Sequence, residues 1–216
     1  MILPGNLFVL SNSISTQVYT KMKKDIIEGT LQPGDRLIVL EIAGNFQISQ
    51  APVREALERL KQEGLIVGKP NKGSVVSNIT SKEIKDIFVL REIIEGFAVR
   101  ESMPLLTDAD YAYLEDIVNE MDCAVRENDT LKILELDMSF HGFFYKRCNN
   151  DAILELWDHM KTKVMRFMAI ANRKHSTKNL VEGHLALINV LRAGNVTDAE
   201  QKFIGHMKSY KMVHID

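Results

Sequence analysis

The sequence predicts a mostly α-helical protein that begins with a smaller unit of different texture. All five prolines lie in the first 104 residues. The proline-free remainder repeats its apolar residues at helical spacing, which is typical of a helical bundle. Residues 1–80 alternate instead between short amphipathic segments and turns, and they end in a predicted hairpin with a basic loop. The order helix, helix, helix, basic hairpin indicates an N-terminal winged helix-turn-helix followed by an all-α bundle of six helices.

The N-terminal elements follow from local signals. The second helix is separated from the first by a turn that contains Pro33. Ser49 can cap the third helix, Pro52 is tolerated in its first turn, and Gly64 ends it. Two lysines, Lys69 and Lys72, lie in the hairpin loop. The predicted elements are helices over residues 14–28, 38–46 and 49–64, and β-prone segments over 65–67 and 74–77.

Six helices are predicted after Ser81. Their ends are marked by Pro104 and by short polar or glycine-containing breaks. The expected helices cover residues 82–101, 107–127, 130–147, 150–173, 177–193 and 196–213. We therefore expect a winged helix-turn-helix domain over residues 1–79 and an all-helical domain over residues 80–216.

Composition excludes several classes of protein. With 45% hydrophobic and 26% charged residues, the chain is neither a disordered tail nor a disulfide-rich secreted scaffold. No apolar run approaches the ~20 residues that span a bilayer, and no basic segment precedes the short apolar stretch at the start. We therefore expect a cytoplasmic protein with no membrane contact. Residues 1–80 carry nine Lys/Arg against seven Asp/Glu, a net charge of +2, which by itself does not indicate DNA binding.

The first turns of the third helix carry side chains that suit DNA. A recognition helix presents its N-terminal residues to base edges and phosphates. Gln50 can pair with adenine, and Arg54 can pair with guanine or a phosphate. Taken one at a time, these residues fit an ordinary solvated helix better. The order of the elements favours DNA binding.

Four polar residues occupy positions that helical periodicity assigns to the core of the bundle. They are Asp137 and His141 in the third bundle helix, His184 in the fifth and His206 in the sixth. Burying them separately is costly, since each needs a partner. One divalent cation satisfies all four, whereas a hydrogen-bonded core histidine is the alternative for any single one. The remaining histidines are not expected to be ligands: His159, His175 and His214.

Arg91 lies on the inward stripe of the first bundle helix. A guanidinium keeps its charge in a protein, so it needs an acceptor. Glu95, four residues further on, can form an internal salt bridge. An effector carboxylate can instead form a bidentate pair with the guanidinium. The sequence leaves both interpretations open.

The N-terminal motifs resemble the DNA-binding domain of GntR-type bacterial transcription regulators. The resemblance covers about residues 14–78 and rests on the segments 27–37, 42–43, 48–57, 63–65 and 72–73, with Leu60. It implies that DNA is bound by Arg36, Ser49, Gln50, Ala51, Arg54, Lys72 and Gly73. Two positions depart from the family, which usually has Arg at position 50 and Thr at position 51. The operator is therefore expected to differ from the family's common one.

The second half resembles the FCD effector domain of the FadR branch of these regulators. The resemblance rests on the run from Asp137 to His141, on Asn150, on Glu182 to His184, on the turn 194–199 and on His206. It implies that Asp137, His141, His184 and His206 hold one divalent metal ion, zinc or nickel. It also implies a neighbouring cavity for a small organic acid, contacted by Arg91 and Asn150. Six helices are typical of the VanR-like subgroup.

These implications predict a homodimeric regulator that binds double-stranded operator DNA and responds to a small organic acid. A helical metalloenzyme is an alternative, because three histidines and one aspartate leave metal positions open. No general base is apparent beyond the ligands, however, so no catalytic residue is assigned. A sensor of the metal itself is the other alternative. The effector, the operator, the native metal, the regulated pathway and the sign of regulation stay open.

Overall fold

In a computed structural model of the 216-residue chain, the described residues are 13–69, 73–78, 80–174 and 179–208. The chain divides into two compact units, Met1–Ile79 and Thr80–Asp216. The first combines three helices with a small sheet, and the second is helical, which confirms the expected fold class. Among the helices that the structure describes, none combines the length and apolar content needed to cross a lipid bilayer.

The N-terminal unit has the helix and strand order of a winged helix-turn-helix. Its elements are α1 (Ile14–Ile27), β1 (Arg36–Leu37), α2 (Val39–Phe46), α3 (Gln50–Gln62), β2 (Ile66–Lys69) and β3 (Gly73–Val76). The strands form an antiparallel sheet in the order β1-β3-β2. The helices enclose a core that includes Val18, Met22, Ile42, Val53 and Leu60, all 1% exposed or less. This core leaves the outer face of α3 in solvent.

Two details of this unit differ from the sequence analysis. β1 was not predicted, because a two-residue strand is too short to show an alternation of buried and exposed side chains. It exists because Arg36 and Leu37 pair with β3. Ser49 occupies the N-cap position of α3, but its side chain makes no capping hydrogen bond. The predicted end of α3 is confirmed, since Gly64 follows it with a left-handed φ of 72°.

Within its described residues, the second unit contains the six α-helices that the sequence predicts and a short 3-10 helix, Met103–Leu105. The α-helices are α4 (Ser81–Ser102), α5 (Asp108–Glu127), α6 (Thr130–Arg147), α7 (Asp151–Lys174), α8 (Leu180–Arg192) and α9 (Val196–Lys208). Capping boxes at Thr80 and Thr107 begin α4 and α5. The expected start of the fifth of these helices, residue 177, and the expected end of the sixth, residue 213, lie outside the described residues.

α4 and α6 form the centre of this unit. α4 packs against α6, α7 and α9, while α5 packs against α6 and α8. The core between them is rich in aromatic side chains, among them Phe140, Phe144 and Phe203, which are fully buried. The polar residues of α4 and α6 therefore meet inside an apolar interior.

Candidate functional site

Four polar side chains from three helices converge in the core of the helical unit. Asp137 and His141 lie one turn apart on α6, His184 on α8 and His206 on α9. One ligand atom from each residue lies within 4.8 Å of the others. The first three side chains are buried and His206 is half-buried. The structure thus brings together the four residues that the sequence analysis selected.

Hydrogen bonds orient two of the imidazoles. The Nδ1–H of His184 donates to the carbonyl oxygen of Leu180 at 2.8 Å, and the Nδ1–H of His141 donates to the carboxylate of Glu95. In each ring this leaves Nε2 as the nitrogen with a lone pair. The Nε2 atoms of His184 and His141 lie 3.2 and 4.0 Å from Oδ1 of Asp137. Both lone pairs are therefore close to the same carboxylate.

The buried carboxylate of Asp137 lacks conventional partners. Neither of its oxygens accepts a hydrogen bond from the described residues, and the same holds for Nε2 of His141 and of His184. Buried polar atoms normally have hydrogen-bond partners, so a group of buried acceptors without a donor needs an explanation. A cation between them satisfies all of these atoms at once.

The electrostatics keep the cluster in a state that can bind a cation. Burial acts to raise the pKa of Asp137, but the neighbouring imidazoles of His141 and His184 outweigh it and hold that pKa well below its usual range. Burial, together with the neighbouring His141 and His184, lowers the pKa of His206 to about 3. At neutral pH the carboxyl group is ionised and the His206 ring is neutral, which are the forms that coordinate metals.

The donor set fits a borderline divalent ion. One carboxylate oxygen and three imidazole nitrogens suit zinc or nickel. Ligand atoms that each lie about 2.1 Å from an ion are at most about 4.2 Å apart, so a small contraction of the 4.8 Å cluster brings all four into range. His159 lies elsewhere, exposed on α7, with Nδ1 bonded to the carbonyl oxygen of Glu155 at 2.8 Å. His175 and His214 lie outside the described residues.

Glu95 on α4 stands behind the cluster, and it is completely buried. Its carboxylate accepts hydrogen bonds from Nε of Arg91 at 2.9 Å, from the hydroxyl of Tyr145 at 2.8 Å and from Nδ1 of His141. Burial acts to raise its pKa, but the neighbouring His141 and the positive charge of Arg91 lower it to about 2. A carboxylate in this position fixes the orientation of a ligating imidazole and raises its basicity.

The contact between Glu95 and His141 was not predicted from the sequence. Glu95 was considered only as a partner for Arg91, because those two residues lie one turn apart on the same helix. The packing of α4 against α6 adds His141 and Tyr145, which are 46 and 50 residues away along the chain. The signal in the sequence that could have indicated this contact was the position of Glu95 on the inward face of its helix.

Arg91 forms the internal salt bridge that the sequence left as one of two interpretations. Both partners of the Arg91–Glu95 pair are 0% exposed. The guanidinium carbon lies 5.4 Å from the ring centre of Trp157 and 5.9 Å from that of Phe88. Arg91 is therefore held between a carboxylate and two aromatic faces next to the cluster.

Asn150 has a structural contact in this chain. Its side-chain oxygen accepts a hydrogen bond from the backbone N–H of Ile153 at 3.2 Å. This is the position of a helix N-cap, which stabilises the start of α7. Its expected contact with an effector stays a prediction.

The residues expected to bind DNA lie on the surface of the N-terminal unit. Those that the structure describes are exposed: Arg36, Ser49, Gln50, Ala51, Arg54 and Gly73. Nη2 of Arg54 donates to the side-chain oxygen of Gln50 at 3.1 Å, one turn away on α3. Lys72 lies outside the described residues. The exposed first turns of α3 can enter a major groove without any rearrangement of the core.

Comparison with known families gives two matches. Residues 14–76 match the family described as bacterial regulatory proteins, gntR family. Residues 86–209 match the FCD domain. The first match covers the helix-turn-helix and the wing, and the second covers α4 to α9 with the polar cluster.

Individual relatives match both units. The HTH-type transcriptional regulator YdhC of Bacillus subtilis (strain 168) is 25% identical over 193 residues, which are 88% of this chain and 86% of the relative. The HTH-type transcriptional repressor RspR of Escherichia coli (strain K12) is 24% identical over 197 residues, 90% of this chain and 86% of the relative. The solved structure of E. coli McbR/YncC has the same fold, with a TM-score of 0.73, 23% identity and coverage of 92% and 95%.

The position of Glu95 predicts a measurable effect on metal binding. Glu95→Gln replaces the charged acceptor of the His141 Nδ1–H by a neutral amide. We expect zinc affinity to fall about 10–100-fold, as is typical when a carboxylate behind a metal-bound histidine is lost. Competition with a chelator measures the affinity. Glu120→Gln, an exposed change on α5, is the control and should have no effect. Unchanged zinc affinity of the Glu95→Gln variant would contradict this role.

Proposed function

Since this chain belongs to the gntR family of bacterial regulatory proteins and carries an FCD domain, we propose that it is a cytoplasmic homodimeric transcription regulator whose FCD domain senses a small organic acid at a bound divalent metal ion. The observation that carries the sensing half is the buried cluster of Asp137, His141, His184 and His206. The DNA-binding half rests on the exposed N-terminus of α3 and on the wing.

The arrangement of α3 supports operator binding by two copies. One helix-turn-helix reads too few base pairs for selective binding, so such proteins bind as dimers to half-sites about one helical turn apart. Arg54 and Gln50, which share a hydrogen bond on the exposed face of α3, are proposed to contact base edges. Ala51 offers only a methyl group, which suits an apolar contact with a thymine methyl. RspR is named a repressor, and we propose repression for this chain as well.

The metal is proposed to be held by the four residues of the cluster, with zinc or nickel as the ion. When bound, such an ion acts as a Lewis acid with open positions for an oxygen ligand. The residues of the chain supply the rest. Glu95 holds the His141 ring in place, and the carbonyl oxygen of Leu180 does the same for His184. Phe140 and Phe203 pack against the rings of His184 and His141 and cover that side of the cluster.

Arg91 is proposed as the second anchor of the effector. Its guanidinium is paired with Glu95 in this structure, so an effector carboxylate that binds Arg91 competes with Glu95. Glu95 also accepts the hydrogen bond from His141. The effector would therefore change the contacts of Glu95, which also orients His141, one of the proposed metal ligands. α4 carries Arg91 and begins at Ser81, directly after the wing, so it is the covalent connection from the sensor to the DNA-binding unit.

A catalytic role is not proposed, because members of the gntR family are transcription regulators. A sensor of the metal alone would use the same four ligands. It is distinguished by the behaviour of the metal-loaded protein, which under our proposal must still respond to an organic acid. A thermal-shift screen of small mono- and dicarboxylates against the zinc-loaded protein, followed by operator binding with each acid that binds, tests this.

The DNA-binding proposal predicts the effect of Arg54→Ala. Loss of a bidentate base contact costs about 1–3 kcal/mol, so specific operator affinity should fall roughly 5–150-fold while the fold is retained. Binding to labelled operator and to unrelated DNA measures the change. Glu58→Ala, an exposed change later in α3, should not weaken operator binding. If Arg54→Ala bound the operator as tightly as the parent, α3 would not be the recognition helix.

The metal proposal predicts the effect of removing two ligands. The parent should bind one zinc or nickel ion per chain. His184→Ala combined with His206→Ala should lose the ion and lower the thermal unfolding temperature of the metal-treated protein, because metal binding contributes folding free energy. Elemental analysis after dialysis measures the content. His159→Ala should keep the full content. Full occupancy in the double variant would refute the site.

The effector proposal predicts that Arg91→Lys retains the metal and loses most of the response. The ammonium keeps the charge that Glu95 needs but cannot form the planar two-bond fork. In the parent the effector should change operator affinity by about 5–150-fold. Arg91→Ala is less informative, since an unpaired buried Glu95 costs about 3–5 kcal/mol of stability. Arg147→Lys, the same substitution at another arginine, is the control and should keep the metal and the response. A normal response of Arg91→Lys would make Arg91 a purely structural ion-pair partner.

A further inference from the structure

The outer face of α4 carries an apolar stripe that the helical unit leaves in solvent. Val89, Leu90 and Ile93 are 44%, 38% and 66% exposed. Phe97, half-buried, continues the line one turn later, and residues four apart lie on one face of a helix. Exposed apolar side chains that form a contiguous patch with a charged rim mark an interaction surface.

Neighbouring helices hold the rest of α4 in place. Its inward face carries Phe88, Arg91 and Glu95, all buried. On one flank α9 approaches so closely that a β-carbon at Gly96 would lie 2.9 Å from Cδ1 of Ile204. The stripe therefore lies on a helix whose inward face and one flank are already packed against the rest of the unit.

The charged residues at the two ends of the stripe have opposite signs and lie equally far from Ile93 along the helix. Asp86 lies seven residues before Ile93, and Arg100 lies seven residues after it. Residues seven apart return to the same face of a helix. If two copies of α4 cross in antiparallel orientation at Ile93, Asp86 of each copy faces Arg100 of the other. Val89 of each copy then faces Phe97.

A parallel pair of α4 helices would instead place each charged residue against a residue of the same charge. Asp86 would face Asp86 and Arg100 would face Arg100, and like charges at an interface disfavour the arrangement. Both arrangements have the two-fold symmetry of an isologous dimer, so the charges decide between them. The charge pattern therefore fits a second copy of this chain and selects its orientation.

We propose that this stripe, residues Asp86, Val89, Leu90, Ile93, Phe97 and Arg100, is the self-association surface of the FCD domain. Two copies of α4 pack in antiparallel orientation about a two-fold axis at Ile93. This deepens the homodimer of the proposed function by naming its interface. Because α4 begins at Ser81, shortly after β3 ends at Val76, the axis would pass through the helices that follow the two wings.

Charge reversal tests the pairing. Arg100→Asp and Asp86→Lys, made singly in the full chain, should each raise the dimer dissociation constant about tenfold or more, since each places like charges together. The double variant should return it to near the parent value. Arg100 and Asp86 also pair within the chain, with Glu200 and Lys82. The double variant does not restore those pairs, so its rescue reports the contact between copies.

Cross-linking tests the position of the axis. In a Cys123→Ser background, which removes the exposed native thiol, Ile93→Cys should form an intermolecular disulfide on mild oxidation. A residue on a two-fold axis meets its own copy, as the short Cβ separation of a disulfide requires. Leu185→Cys on α8, also exposed, is the matched control and should stay uncross-linked. Arg126→Asp on α5, which is exposed and paired with Asp122 on the same helix, is the control for charge reversal.

The outcomes separate this surface from the dimer itself. Cross-linking at Ile93 together with rescue by the double charge reversal supports the proposal. A stable dimer that neither cross-links at Ile93 nor responds to the reversals overturns this surface and leaves a homodimer with another interface. A parent protein that is monomeric with and without DNA overturns both this surface and the homodimer.

Discussion

The helical unit depends on the burial of ionisable groups in an apolar core. Glu95 and Asp137 are almost completely enclosed, and a buried carboxylate is costly unless it is paired or hydrogen-bonded. Glu95 meets this requirement with three donors from two helices. Asp137 has imidazoles around it but no hydrogen bond from the described residues. Glu95 is satisfied by donors of the protein, whereas Asp137 has no hydrogen-bond donor among the described residues and is available to a cation.

The two carboxylates are connected through His141. Its Nδ1–H donates to Glu95, while its Nε2 faces Asp137 at 4.0 Å. Because Glu95 also holds Arg91, a change in the pairing of the arginine would reach the cluster around Asp137 through two contacts. This is a short physical path, made of hydrogen-bonded side chains in a low-dielectric interior where such interactions are strong. Through this path, binding of an effector carboxylate at Arg91 could change the contacts of His141 without a large movement of the helices.

α4 has a different role on each of its faces. The inward face supplies Arg91 and Glu95, one flank packs closely against α9 at Gly96, and the outer face exposes Ile93. The same helix follows the wing in the chain. The proposed effector contact, the packing contact with α9 and the proposed dimer surface therefore share one helix, and a displacement of α4 would affect all three.

Local signals in the sequence were sufficient for most elements and for the four clustered residues. Helical periodicity, caps and breaks placed α1 to α9, because these are properties of neighbouring residues, and they marked Asp137, His141, His184 and His206 as inward polar residues. Two features depended on tertiary packing. β1 exists only through pairing with β3, and Glu95 reaches His141 only because α4 packs against α6. Contacts between residues far apart in the chain are set by how whole helices and strands pack, and no local pattern of residue types records that packing.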